Sequence, residues 1–97
     1  MRKRLMNLQR QLEEQRALPM VERSTGLEDA ALDRAIRYVE RVRSLWVQDR
    51  TVEALWGMRV LAHAAVDSWP RSDIASSLMA SRYEMEQVLK RRERRSQ

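Results

Sequence analysis

Apolar residues return along most of this chain at intervals of three and four, the period of a helix with one buried face. Residues 2–17 place Leu5, Leu8 and Leu12 on one such stripe, with Met1 before them and Gln15 after. The stripe is narrow and the segment short, so its own propensity does not hold it helical. It docks on its own domain, pairs with a partner, or frays. Leu18-Pro19-Met20 ends it, and residues 19–26 read as a loop. Thr25-Gly26-Leu27-Glu28 fits a capping box, in which Thr25 caps a new helix and Glu28 reaches back to it. That helix is predicted from 27 to about 48, with Leu32, Ala35, Ile36, Val39, Val42, Leu45 and Trp46 at helical spacing. Arg34, Arg37, Glu40, Arg41 and Arg43 fall mostly outside its apolar stripe.

Asp49-Arg50-Thr51 marks either a break, with Asp49 as the cap of a third helix, or a point through which one helix continues, since nothing here forbids helical geometry. This helix, about 51 to 68, is apolar around much of its girth, from Val52, Leu55 and Trp56 to Ala64, Ala65 and Val66. Such a segment belongs in the middle of a bundle or across a subunit interface. Trp69-Pro70 stops it, because a residue before proline is pushed out of helical geometry. Ser72 then offers an N-cap with Asp73 in the first turn, and Ile74, Ala75 and Leu78 form an apolar face. Ser81-Arg82-Tyr83-Glu84 matches a second capping box, so one reading starts a fresh helix at Arg82, with Met85, Val88 and Leu89 on its buried side. The other reading is a single amphipathic helix. Ile74, Leu78, Ser81, Met85 and Val88 advance by 4, 3, 4 and 3, and residues 73–95 contain no Gly or Pro to force a turn.

The chain has 97 residues with 2 Gly and 2 Pro, too little turn punctuation for a multi-stranded β protein. An all-α fold is expected: one domain over 1–97, built as a small bundle of four to five helices. Within it, 1–18 is an N-terminal helix, 27–69 the helical core and 70–95 a helix-turn-helix with a basic tail. Cysteine is absent, which excludes disulfides, thiolate metal sites and a cysteine nucleophile. No apolar run approaches the roughly 18 residues of a membrane span, and the basic start Met1-Arg2-Lys3-Arg4 leads into Asn7, Gln9, Arg10 and Gln11 rather than a signal-peptide core. A cytoplasmic location is expected. The net charge of +5 is uneven: residues 1–16 and 82–97 each carry three net positive charges, and the body between them one net negative. Two positive ends on a nearly neutral body suit a polyanion, and they equally suit solubility and a helix dipole met by terminal arginines.

Set against a general helix-turn-helix pattern, residues 66–95 supply a short first helix with Ile74, Ala75 and Leu78 inward, a tight turn at Met79-Ala80-Ser81, and a second helix with Met85 and Val88 inward. Small Ala75 lets the two helices cross closely. The run from Val66 through Trp69-Pro70 to Ile74-Ala75, then Leu78, Ser81, Met85 and Leu89, resembles the DNA-reading helix-turn-helix of sigma factors and LuxR-type response regulators. The resemblance covers about 30 residues and departs at Met79, where Gly is common, and at Ala80 and Met85, where branched residues are usual. It implies a bacterial-type transcriptional regulator. Ser81, Arg82, Tyr83, Gln87 and Lys90 would then face the major groove, while Arg71, Arg91 and Arg94 meet phosphates.

Other signals carry less chemistry. His63 is the only histidine, so no multi-ligand metal site is expected. Glu13-Glu14, Glu28-Asp29, Glu40, Asp49 and Glu53 read as solvated faces or caps rather than a catalytic pair. With no phosphate-binding loop and no nucleophile motif, neither an enzyme, a cofactor nor a small-molecule substrate is expected. Trp46, Trp56 and Trp69 are many tryptophans for so short a chain, and Trp is a frequent interface anchor. The second functional expectation is therefore a protein-binding regulator. It would resemble small helical antiactivators and secretion chaperones that dock on a transcription factor or other protein and block its dimerisation or assembly. Leu5, Leu8, Leu12, Trp46, Trp56 and Trp69, with the apolar helix at about 51 to 68, would form its protein interface. Under either expectation a homodimer fits.

Overall fold

The leucines of the N-terminal segment decide how the chain assembles. Leu5, Leu8 and Leu12 each retain 1% or less of their surface, so the first helix is docked into the core rather than frayed or held outward for a partner. In the computed structural model, which describes residues 1–69 and 72–96, this is α1, Arg2–Ala17. A single 3-10 turn at Met20–Glu22 follows, then α2, Asp29–Val47, α3, Thr51–Ser68, and α4, Asp73–Ser96. The described residues contain no strand. Each helix packs against its neighbours in the ring α1–α2–α3–α4–α1, most lightly where α4 closes on α1, and the backbones of diagonal pairs stay apart among the described residues.

Polar contacts along the seams fix the directions. Arg16 near the end of α1 pairs with Asp29 and Asp33 at the start of α2, while Gln9 reaches Glu40 and Arg43 further along. Arg4 pairs with Glu84 at 2.6 Å, and Ser77 lies beside Asn7 and Gln11, so α4 runs antiparallel to α1. The result is an up-down-up-down bundle, a rod of 51 × 23 × 18 Å. Its core is built from Leu32, Val39 and Val42 of α2, Ala54, Met58 and Ala62 of α3, and Leu78 and Met85 of α4, packed on the three leucines of α1.

The α1–α2 connection is organised differently from the capping box predicted for it. Glu28 occupies the N-cap position and makes no side-chain cap bond. Thr25 is buried instead; its hydroxyl donates to Gln15 Oε1 and accepts the Leu27 N–H. Gly26 sits at φ +67, a conformation that favours glycine. Arg23, its side chain 5% exposed, lies under the loop. It donates to the carbonyls of Leu18, Leu27 and Arg16 and to Asp29, tying both helix ends together. This pairing holds the Asp29 carboxyl below its ordinary pKa, chiefly through the Arg23 hydrogen bond.

The break between α2 and α3 also corrects an expectation. Asp49 does not cap α3; it stands at φ 62 just beyond α2. Arg50 N–H reaches Leu45 O at 2.9 Å and Asp49 N–H reaches Trp46 O at 3.1 Å, the pairing of a Schellman ending with Asp49 in the position glycine usually fills. Arg50 is the N-cap residue of α3 and pairs with Glu53.

The largest correction concerns residues 73–95. Ser72 accepts the Ile74 N–H as its capping role predicts. From there α4 runs without interruption to Ser96, with no turn at Met79-Ala80-Ser81 and no second helix starting at Arg82. Ser81 is wholly buried, and its hydroxyl donates to the Ser77 carbonyl one turn back at 2.8 Å instead of capping. Glu84, the far member of the supposed capping box, is engaged with Arg4. The 4-3-4-3 spacing is that of one long amphipathic helix.

Candidate functional site

Helix α3 buries Ala54, Leu55, Met58, Leu61, Ala62 and Ala65, a stripe repeating at three and four. This one face is all the bundle uses. Since α3 is apolar around most of its girth, a second apolar row is left on its outer side: Val52, 74% exposed, Trp56, 67%, Val60, 45%, and then Ala64. These four residues are spaced by four and so form a continuous ridge one above another. An outward tryptophan flanked by valines on a chain this small is the kind of exposed patch that marks an interaction surface.

A groove runs between this ridge and α2. Its floor owes its depth to Gly57, where a Cβ would stand 3.0 Å from Val42 Cγ2 and 3.6 Å from Tyr38 Cε1. With no side chain there, the two helices approach closely and leave a recess of about 520 Å³ lined by Tyr38, Val42, Leu45, Leu55 and Trp56, with Arg41 on the α2 bank and Glu53 on the α3 bank. Arg34, Tyr38 and Arg41 succeed one another on one face of α2 (i, i+4, i+7), and Arg37 is exposed beside them. Among the described residues, Arg34, Arg37 and Arg41 enter no ion pair or hydrogen bond, whereas arginines along the seams are engaged: Arg16, Arg23, Arg43, Arg59 and Arg82.

On the α4 side of the ridge, Arg59 and Arg82 both donate to Glu86 Oε1 at 3.2 Å. Partial burial pushes the Glu86 carboxyl up, but the two guanidinium hydrogen bonds outweigh it and hold the group below its ordinary pKa. A second, shallower recess lies here between Trp56, His63, Asp67 and Arg82. His63 is exposed and faces Asp67 at 3.5 Å. Among the described residues no three His, Cys, Asp or Glu side chains converge as metal ligands would.

The residues singled out from sequence are dispersed rather than gathered. Ser81 is interior and cannot touch a duplex. Arg82 is committed to Glu86, and Gln87 is half-buried. Tyr83, 64% exposed, and Lys90, Arg91 and Arg94 face solvent at successive positions round the continuous α4. Arg71 lies outside the described residues. Of the expected protein interface, Leu5, Leu8 and Leu12 are core, as is Trp69. Trp46 is partly buried against the core, with the Arg92 guanidinium 5.4 Å from its ring centre. Trp56 alone among these six stands in the open. Val52, Gly57 and Val60 belong to the apolar helix that the sequence offers as a binding surface without singling them out, whereas Arg34 and Arg41 are not among the residues it assigns to an interface. The signal for them was present: α3 carries two apolar rows on opposite sides, and a bundle of neighbours in a ring needs only one.

No helix among the described residues is long and apolar enough to cross a membrane. Comparison with protein-family models, with curated proteins and with solved structures gave no match, so the chain is assigned to no family.

Proposed function

We propose that this chain is a non-enzymatic helical docking module, a regulator of the antiactivator or chaperone kind that binds another polypeptide through the outer face of α3 and the adjoining α2–α3 groove. The observation that carries this reading is the ridge Val52–Trp56–Val60–Ala64, which the bundle leaves uncovered although it is as apolar as the face it buries. Covering such a ridge returns apolar area to a dry environment at roughly 25 cal/mol per Å², and an exposed Trp is a common energetic centre of a protein interface. Helix-in-groove recognition uses side chains spaced as these are. The DNA reading loses its principal support, because the helix that would enter the major groove is continuous with its predecessor and its first predicted contact, Ser81, is interior.

A photo-crosslinking residue placed at Trp56 in the native host tests this, with Glu14 on the exposed side of α1 as the control position. One polypeptide joined through position 56 and not through 14, and lost in Val60→Glu at an unchanged unfolding temperature, is the expected result. Co-purifying duplex DNA, released steeply by salt and indifferent to Val60→Glu, overturns it.

A further inference from the structure

We propose that the α2–α3 groove receives an amphipathic helix from another protein, one carrying Asp and Glu along a single flank. This inference rests on the docking role proposed above and names the chemistry of its partner. The groove is asymmetric. Its floor, at Val42, Leu45 and Gly57, takes apolar side chains; the α2 bank carries Tyr38 and Arg41, with Arg34 one turn before Tyr38 on the same helix face, and the α3 bank is Val52 and Trp56 with Glu53 beside them.

Charge complementarity identifies the occupant. Arg34, Arg37 and Arg41 make no ion pair among the described residues, so their guanidinium forks are open to carboxylates, which they match two bonds at a time. Arg59, which reaches the end of the groove, is already held by Glu86 and adds no open charge. A helix laid in the recess with its apolar face down presents one flank to the arginines and the other to Val52 and Trp56. Acidic groups on the first flank alone satisfy both banks. A second copy of this chain does not supply that row. Its acids outside ion pairs are scattered: Glu22 and Glu28 in the α1–α2 connection, Glu13 and Glu40 at the α1–α2 seam, and Asp73 and Glu93 towards opposite ends of α4. A nucleic-acid strand fits less well, because the far bank is apolar and ends in an acid, whereas a phosphate backbone is tracked by a positively charged groove.

The test uses two labelled 18-residue helical peptides with the same apolar face, one flanked by Glu and the other by Lys, and an oligothymidine of equal negative charge. Binding to the full chain is read by fluorescence anisotropy. The Glu-flanked peptide binds at least tenfold more tightly than the other two, and Arg34→Glu with Arg41→Glu reverses the peptide preference without moving the unfolding temperature. Both arginines are exposed on a helix surface, so the double variant keeps the fold. Equal affinity for both peptides, an unreversed preference, or no binding of either overturns the acidic-partner inference; the crosslink at position 56 then still decides whether a polypeptide docks. Tighter binding of the oligothymidine overturns it in favour of nucleic acid.

Discussion

Helices α1 and α3 each carry a row of apolar side chains that reads in sequence as a docking surface, and the bundle treats them in opposite ways. The row on α1 is sealed: Leu5, Leu8 and Leu12 are its only apolar stripe, and without their burial a helix of 16 residues has nothing to hold it. The outer row on α3 stays open, because Ala54, Met58, Leu61 and Ala65 already supply the face the bundle needs. An apolar row is interior when it is the only one its helix has. A second row on the same helix is surplus to folding.

Breaking each row separates the two roles. Leu8→Ala removes a fully buried side chain and lowers stability by about 2–5 kcal/mol in denaturant unfolding, whereas Trp56→Ala, a larger deletion from an exposed position, shifts it by no more than about 0.5 kcal/mol. Equal losses in the two variants would mean that α3 is covered within the folded chain. Gly57→Leu comes next. Its side chain is driven against Val42 and Tyr38 and costs about 1–3 kcal/mol, since Val42 is packed in the core and cannot step aside. Crosslinking through position 56 falls in the same variant, because the floor of the groove is filled.

The smallest effect tests the continuity of α4. Ser81→Ala changes stability by no more than about 0.5 kcal/mol, because the lost hydroxyl bond is a local one to Ser77 O within a helix that favours alanine. A serine capping a fresh helix would cost about 1 kcal/mol when replaced. A loss of that size would restore the two-helix reading of residues 73–95.

Much of the fold is legible in the periodicity, and the misreadings share a cause. The helices over 2–17 and 51–68 arise from their stripes and from Pro19 and Pro70, because breakers and spacing are local properties of the chain. The two capping boxes mislead because Thr25 and Ser81 have partners elsewhere: Gln15, ten residues away, for Thr25, and the preceding turn for Ser81. A hydroxyl satisfies its hydrogen bond wherever the fold offers one, and spacing alone does not say where. Arg23 shows the same limit. Its sequence setting is an ordinary loop, yet its guanidinium is the buried tie between two helix ends. The candidate site was half visible: Trp56 stood out by its type, but its neighbours across the groove belong to α2 and become neighbours only once Gly57 brings the helices together.

The most direct measurement tracks the three indole N–H signals by NMR while the Glu-flanked helix is added to the full chain. The Trp56 signal shifts with saturation, and those of Trp46 and Trp69, one stacked by Arg92 and the other in the core, stay in place. A titration that moves Trp46 or Trp69 and leaves Trp56 still would place the binding surface elsewhere and contradict the account.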